Sequence, residues 1–423
     1  MQKSTVLKGL VPLAALFSAQ AVALPFQSLD PRSLGMGGVG VASGTSANAG
    51  FMNPALLSVA REGEDFSLEL PVLGARFSDP DKLLDEVDKY QNKDLEGDLT
   101  TAVNNFDGTP ASAAMVATAA QAIYDQLALF TNKPLQGEVV GGMVIGIPSK
   151  KVGASLTING YAVGGGLLDF STADQALVQG IIDDANATAD GTDPTALGTN
   201  TAILDQVSGT QDVVDKLTSG IDARGAVMTE VGISLSHEVD MAGHDVAVGI
   251  TPKFVKVTTF DYHMDTNSAE FDTSTGTKEY SGFNLDAGLA KDYGNGWKAG
   301  LVVKNLFGNE YDTVNGNTVK IEPQPRLGVS HSNDWLTLAA DVDLKENEPA
   351  GFESKTQYLG VGAELNLLDW FQFRAGYRRN LSDKDTSMPS IGFGFSPFGI
   401  HIDLAAAGRH NDVAAALQLG FRF

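Results

Sequence analysis

The last thirteen residues, 411–423, alternate strictly. Val413, Ala415, Leu417, Leu419, Phe421 and Phe423 share one parity, while Asp412, Ala414, Ala416, Gln418, Gly420 and Arg422 share the other. A two-residue period of this kind puts one set on each face of an extended strand. Residues 399–408, just before it, alternate in the same way, as do most segments upstream. The pattern predicts the closing strand of an antiparallel transmembrane β-barrel, its apolar parity toward lipid and its polar parity toward the lumen. An edge strand of a soluble sandwich would carry the same period.

Counting strands by alternation gives segments at about 65–77, 135–147, 151–163, 221–238, 244–262, 277–293 and 297–307 in the first part of the chain. Further segments follow at about 318–331, 335–345 and 355–367, then one ending at residue 379 and three more after residue 387. The total is about fourteen, an even number as single-chain bacterial barrels require. Connections after odd strands read as long or turn-rich and those after even strands as short, among them the tight hairpin at Asn295-Gly296. Two inserts, 78–134 and 164–220, switch to helical spacing, at Leu83, Leu84 and Val87, along Ala111 to Ala128, and at Leu177, Ile181 and Ile182. The expected fold is therefore all-β with helical loop inserts. Short turns and both termini would face the periplasm and the inserts the outside.

Composition sharpens this reading. Only 19% of residues are charged, 47 are glycine, and beyond the amino terminus no run approaches the ~20 apolar residues of a spanning helix. At that terminus Lys3 and Lys8 precede an apolar stretch, and Ala-x-Ala patterns end at Ala21 and Ala23, so residues 1–23 read as a cleaved secretory signal. Losing Lys3 and Lys8 takes the formal net charge from −23 to −25, which argues against a nucleic-acid partner. The chain has no cysteine, which excludes disulfides, thiolate metal sites and cysteine nucleophiles.

Gly35, Gly37 and Gly40 satisfy a G-x-G-x-x-G spacing. No strand precedes them and no helix pattern opens after them, so a dinucleotide site is not indicated. Instead Gly35, Gly37, Gly38 and Gly40, followed by Asn53-Pro54-Ala55, resemble the amino-terminal segment of the FadL-like outer-membrane transporter superfamily, with wording similar to its TraF-like conjugal transfer subgroup. The segments 323–329 with 336–343, and 360–364 with 373–377, carry the same resemblance. It implies a fourteen-stranded barrel whose lumen is closed by a hatch, here residues 24–64 ahead of a barrel at 65–423. Asn53, Pro54 and Ala55 would be gate elements. No cofactor is implied.

Within the strands, charges sort to one parity. Glu230, Asp286, Lys304, Asp341, Asp343, Glu364, Arg374, Arg378, His401, Asp403 and Arg422 are expected to face the lumen, either as a salt-bridge network tying strands and hatch together or as a selective channel lining. In the inserts, Leu83, Leu84, Val87, Ile123, Leu127 and Phe130 form an apolar set that could hold a small hydrophobic ligand or pack helices together. Phe421 and Phe423 read as the signal to the barrel-assembly machinery.

Enzymatic patterns are weak. His237-Glu238 has no second histidine at zinc spacing, no G-x-S-x-G occurs, and His401 with Asp403 share a strand face without a serine in register. The run Asp183, Asp184, Asn186, Asp190, Asp193 does not match a calcium loop. It reads as a solvated surface that could meet lipopolysaccharide through divalent cations. Two functions follow from the resemblance: passive passage or binding of small hydrophobic compounds, or a plugged barrel docking an envelope machine for conjugation or secretion.

Overall fold

The computed structural model describes residues 30–59, 65–265, 276–347, 351–352, 354–368 and 370–422. The expected signal segment, the start and end of the expected hatch span, and Phe423 lie outside these residues. Sixteen strands are present among them. They are β1 (Ser67–Ser78), β2 (Pro134–Ile147), β3 (Gly153–Asp169), β4 (Gly220–Asp240), β5 (Asp245–Asp265), β6 (Thr277–Asp292), β7 (Trp297–Lys304) and β8 (Asn309–Asp312). Then come β9 (Thr318–Ile321), β10 (Gln324–Ser332), β11 (Leu336–Asp343), β12 (Tyr358–Leu367), β13 (Phe371–Asn380), β14 (Met388–Phe395), β15 (Ile400–Arg409) and β16 (Asp412–Arg422).

Fourteen of them close a barrel, running β1 to β7 and then β10 to β16, each antiparallel to its neighbours, with β16 pairing back to β1. Closure leaves no free strand edge. Along β16 the expected parity holds: Val413, Leu419 and Phe421 are exposed on the outer face while Asp412, Ala414, Ala416, Gln418 and Gly420 are buried within. The three tryptophans, Trp297, Trp335 and Trp370, are exposed beside short turns at the same end of the barrel, as an interfacial aromatic belt requires. The turn joining β6 to β7 places Gly294, Asn295 and Gly296 at positive φ, which explains the choice of residues there.

Two expectations on strand limits need correction. The strand expected at 318–331 is broken at Glu322-Pro323, because proline has no N–H to give a ladder. Its first part, β9, pairs instead with β8, which lies in the segment expected to be a turn-rich loop. The second departure is in β1, where the register slips between Glu69 and Val72 against both neighbours, at Pro71. The slip moves the inward set from odd residues (Ser67, Glu69) to even ones (Val72, Gly74, Arg76).

The two inserts fold as helices over the end carrying the long connections. The first holds α1 (Leu83–Gln91), α2 (Leu95–Asn104) and α3 (Pro110–Phe130), and the second holds α4 (Thr172–Asp190), α5 (Ala196–Thr199) and α6 (Thr201–Val207). Helix α3 starts where Thr109 caps Ser112 and Pro110 needs no N–H partner. It buries Ala113, Val116, Ala117, Ala120, Ile123, Leu127 and Phe130, a three-and-four spacing that defines one stripe. That stripe joins Val178, Ile181, Ile182 and Leu197 of the second insert, and the strand ends Leu135, Leu168 and Ile221, in one apolar core.

Candidate functional site

The site is the filled lumen. Residues 30–59 lie inside the barrel, almost all of them buried. They begin with a short helix, Pro31–Gly35, capped by Asp30, whose carboxylate accepts the Ser33 N–H at 3.1 Å. Residues 35–41 then pass across successive strands: Gly35 lies on Gly392 of β14, Met36 and Gly37 on Gly376 of β13 and Gly362 of β12, and Val41 on Gly328 of β10 and Gly300 of β7. Farther on, Asn53 lies on Gly288 of β6, Pro54 and Ala55 on Gly249 of β5, and Leu57 on Gly153 of β3. A Cβ at any of these wall glycines would run into the inner segment. All of them belong to the inward parity, a row of small inward residues that the sequence reading did not use. Of the inner segment's own glycines, Gly37 and Gly38 adopt positive φ, which turns the chain along the wall.

Polar contacts fix the segment. Asp341 accepts the N–H groups of Gly40 (2.7 Å) and Val41 (2.9 Å). Asn53 donates to the carbonyls of Val41 (3.0 Å) and Leu289 (3.1 Å) and accepts the Ala55 N–H, so it holds the bend before Pro54. Lys304 donates to the Phe51 carbonyl, and Ser236 hydrogen-bonds Ser58. Arg32 meets Glu364 through two hydrogen bonds of 2.9 and 2.8 Å and donates a third to the Ser43 carbonyl. The bidentate geometry favours arginine over lysine here.

The expected lumen charges all take inward positions, and the structure sorts them into separate clusters. Glu364 and Asp403 are brought together by Arg374, at 2.6 and 2.5 Å. His401 and Arg422 meet on Glu69, at 2.5 and 3.5 Å. His401 and Asp403, although on one face of β15, thus have different partners and form no acid/base pair. Glu230 and Asp286 share Lys253, at 2.9 and 3.0 Å. Asp343 pairs with Arg326 at 2.6 Å, and Arg378 stacks on Tyr358, 4.3 Å from the ring centre.

Sequence reading missed Arg32, Glu69, Arg76, Glu138, Lys253 and Arg326. Arg76, its side chain almost wholly buried, bridges Glu138 (2.5 Å) to Asp412 (2.9 Å). The slip in β1 hid it from a simple alternation count, and Asp412, although on the polar parity of the closing strand, was not among the expected lumen charges.

Between these charges runs apolar wall. Val140, Tyr161, Val163, Ala226, Met228, Val255 and Val257 face inward on β2 to β5 and belong to one buried cluster with Leu34 of the inner segment and Val319 and Ile321 of β9. Small residues Ala405, Ala407, Ala414 and Ala416 extend it under the Pro31–Gly35 helix. At the short-turn end a polar cavity of about 160 Å³ remains between the inner segment and the wall, bordered by Arg32, Ser43, Lys298, Ser330 and Asp403. In the helical layer, Leu83, Val87, Ile123, Leu127 and Phe130 are consumed by packing against one another, and Leu84 alone of that set is exposed.

A closed fourteen-strand barrel whose lumen is occupied by an amino-terminal segment defines the class, an outer-membrane β-barrel with the FadL-like fold. Solved structures share the architecture. The toluene transporter TbuX of Ralstonia pickettii is 13% identical, with 95% of this chain and all of that one covered at a TM-score of 0.54. The toluene transporter TodX of P. putida is 11% identical, with 94% and 99% covered at 0.51. CymD, a monoaromatic hydrocarbon channel, is 13% identical, with 95% and 99% covered at 0.51. Residues 50–343 match the family model described as "F plasmid transfer operon, TraF, protein", and the chain belongs to that family. Among curated proteins, none matches the sequence.

Proposed function

We propose that this protein is a passive outer-membrane conduit for small hydrophobic compounds, with the inner segment 30–59 as its gate. The observation that carries this reading is the apolar inner wall of β2 to β5. A purely structural barrel could fill its lumen with paired charges, as this one does elsewhere, whereas buried Met228, Val255 and Val257 offer an apolar solute a surface that water does not. The titles of TbuX, TodX and CymD name toluene and monoaromatic hydrocarbons, which makes toluene the probe of choice. The wall contacts of the inner segment combine hydrogen bonds and ion pairs, which water can replace, with small apolar patches such as Val41 and Met52 on Val302, and in this reading its displacement needs no energy source. In this reading the short turns and termini are periplasmic, the helical layer external, and no catalytic group takes part.

The test is toluene uptake by cells with and without the gene, at matched growth. Faster uptake with the gene is expected, and equal rates would overturn the proposal. A second reading rests on the family match, whose description names a plasmid transfer operon: a plugged barrel that docks an envelope transfer machine. Reduced plasmid transfer on deletion, with toluene uptake unchanged, would select it.

A further inference from the structure

The connection from β7 to β10 does not project outward as a loop. Its hairpin, β8 with β9, enters the lumen, where Val319 and Ile321 are 1% and 2% exposed against Tyr161, Met228, Val255 and Val257 of the wall. The β8 side rests on the neighbouring strands: Thr259 and Tyr280 both donate to the Asp312 carbonyl at 2.9 Å, and Lys278 donates to that of Thr313 at 2.7 Å. One carboxylate gathers the tip. Asp261, near the outer end of β5, accepts from Thr313 Oγ1 at 2.6 Å and Asn317 Nδ2 at 2.8 Å, and its carbonyl accepts from Asn315 at 3.1 Å. Arg224 stands 3.8 Å from the same carboxylate.

The division of labour is clear from the chemistry. The part of the hairpin that meets the wall is apolar, two β-branched side chains on a valine-, tyrosine- and methionine-lined surface, and would be replaced without penalty by another apolar group of similar size. The part that holds it in place is polar and lies toward the outer end of β5; the Tyr280 bond is open to water, while Thr259, Thr313 and Asp261 are buried and meet water once the hairpin moves. The Lys253 ion cluster, with Glu230 and Asp286, flanks the same stretch of wall and limits the apolar surface.

We propose that the β8–β9 hairpin is a displaceable second plug, latched by Asp261, and that the wall under Val319 and Ile321 is a binding site for a small apolar molecule. The molecule takes the place of those two side chains when the latch opens. This rests on the conduit reading for the identity of the ligand, but the latch itself can be tested without it.

Because the chain has no cysteine, single thiols report cleanly. In purified, heat-modifiable protein, Val319→Cys should react slowly with a membrane-impermeant maleimide, and at least tenfold faster when Asp261→Ala and Thr313→Ala are added. Equal rates would overturn the latch. In a second arm, Asp261→Cys/Thr313→Cys is measured before and after a short dithiol cross-linker, which turns an open hairpin into a fixed one. Toluene uptake should be high before cross-linking and fall at least tenfold after it. Uptake that ignores the cross-link would overturn the binding site. Absence of toluene uptake in every form, the unmodified chain included, would defeat the conduit reading and with it the ligand, while the labelling arm would still decide the latch.

Discussion

Two regions of this molecule are packed interiors that differ in how much of the holding is polar. The helical layer is held by apolar side chains, with Ile123, Ile181, Leu99 and Leu197 fully buried in one core. The inner segment also buries apolar side chains against the wall, Met36 and Val39 on Ala339, Val41 and Met52 on Val302, and Leu56 and Leu57 on Ala247 and Ala290, but it adds backbone laid on glycine, Arg32 on Glu364, and Asp341 and Asn53 on main-chain groups. Apolar packing loses its stabilisation when any part is hydrated, so the layer opens only at the cost of its shared core. Hydrogen bonds exchange with water at small net cost, about 1 kcal/mol each, so the polar part of the inner segment's contacts opposes its displacement less than the apolar part does.

The largest effect should come from filling the wall. Gly376→Val puts side-chain atoms where Met36 and Gly37 lie, leaves strand β13 intact, and should lift the inner segment off the barrel. Swelling of proteoliposomes in small sugars should rise at least tenfold with heat-modifiable migration retained; an unchanged rate would mean that the segment does not seal the lumen.

Next is Arg32→Ala. It strips one partner from a buried bidentate pair, which costs about 3 kcal/mol where the remaining charge has no other partner and less here, because Arg374 still holds Glu364. The inner segment should become cleavable by added protease while the helical layer stays resistant, and equal resistance of both would remove the contrast.

The reverse case is Ile123→Ala, expected to cost about 2–5 kcal/mol of local stability by leaving a cavity in α3's stripe. Proteolysis of the inserts should speed up with sugar permeability unchanged. A leak would show that the layer, too, seals the pore.

The smallest effect is pH-dependent. Asp107, at the head of α3, is held below its ordinary 3.8, at about 2, by hydrogen bonds from the Ser112 hydroxyl and then from Thr109. A depressed carboxylate contributes stability that is complete above its unfolded value and disappears as pH falls through the folded one. Helicity of the insert should therefore weaken slightly between pH 4 and pH 2, and Asp107→Asn should flatten that change. A profile identical in both proteins would show that the cap adds nothing.

The barrel strands, their number, the outward parity and the existence of helical inserts were determined by the sequence itself. Each of these rests on contacts among residues a few positions apart, so a period of two or of three to four is visible locally, as Val413 to Phe421 and Ala113 to Phe130 show. Tertiary structure alone decided the partners inside the lumen. Arg32 finds Glu364 across 332 positions, Arg76 finds Asp412 across 336, and parity can say only that each faces inward. It also decided that β8 and β9 turn into the barrel, because Val319 and Ile321 alternate as any strand would and nothing local distinguishes lipid from an apolar lumen wall. Closing the ring brings distant residues within bonding distance, and only then does a row of inward glycines become a track and a pair of valine-like side chains a plug.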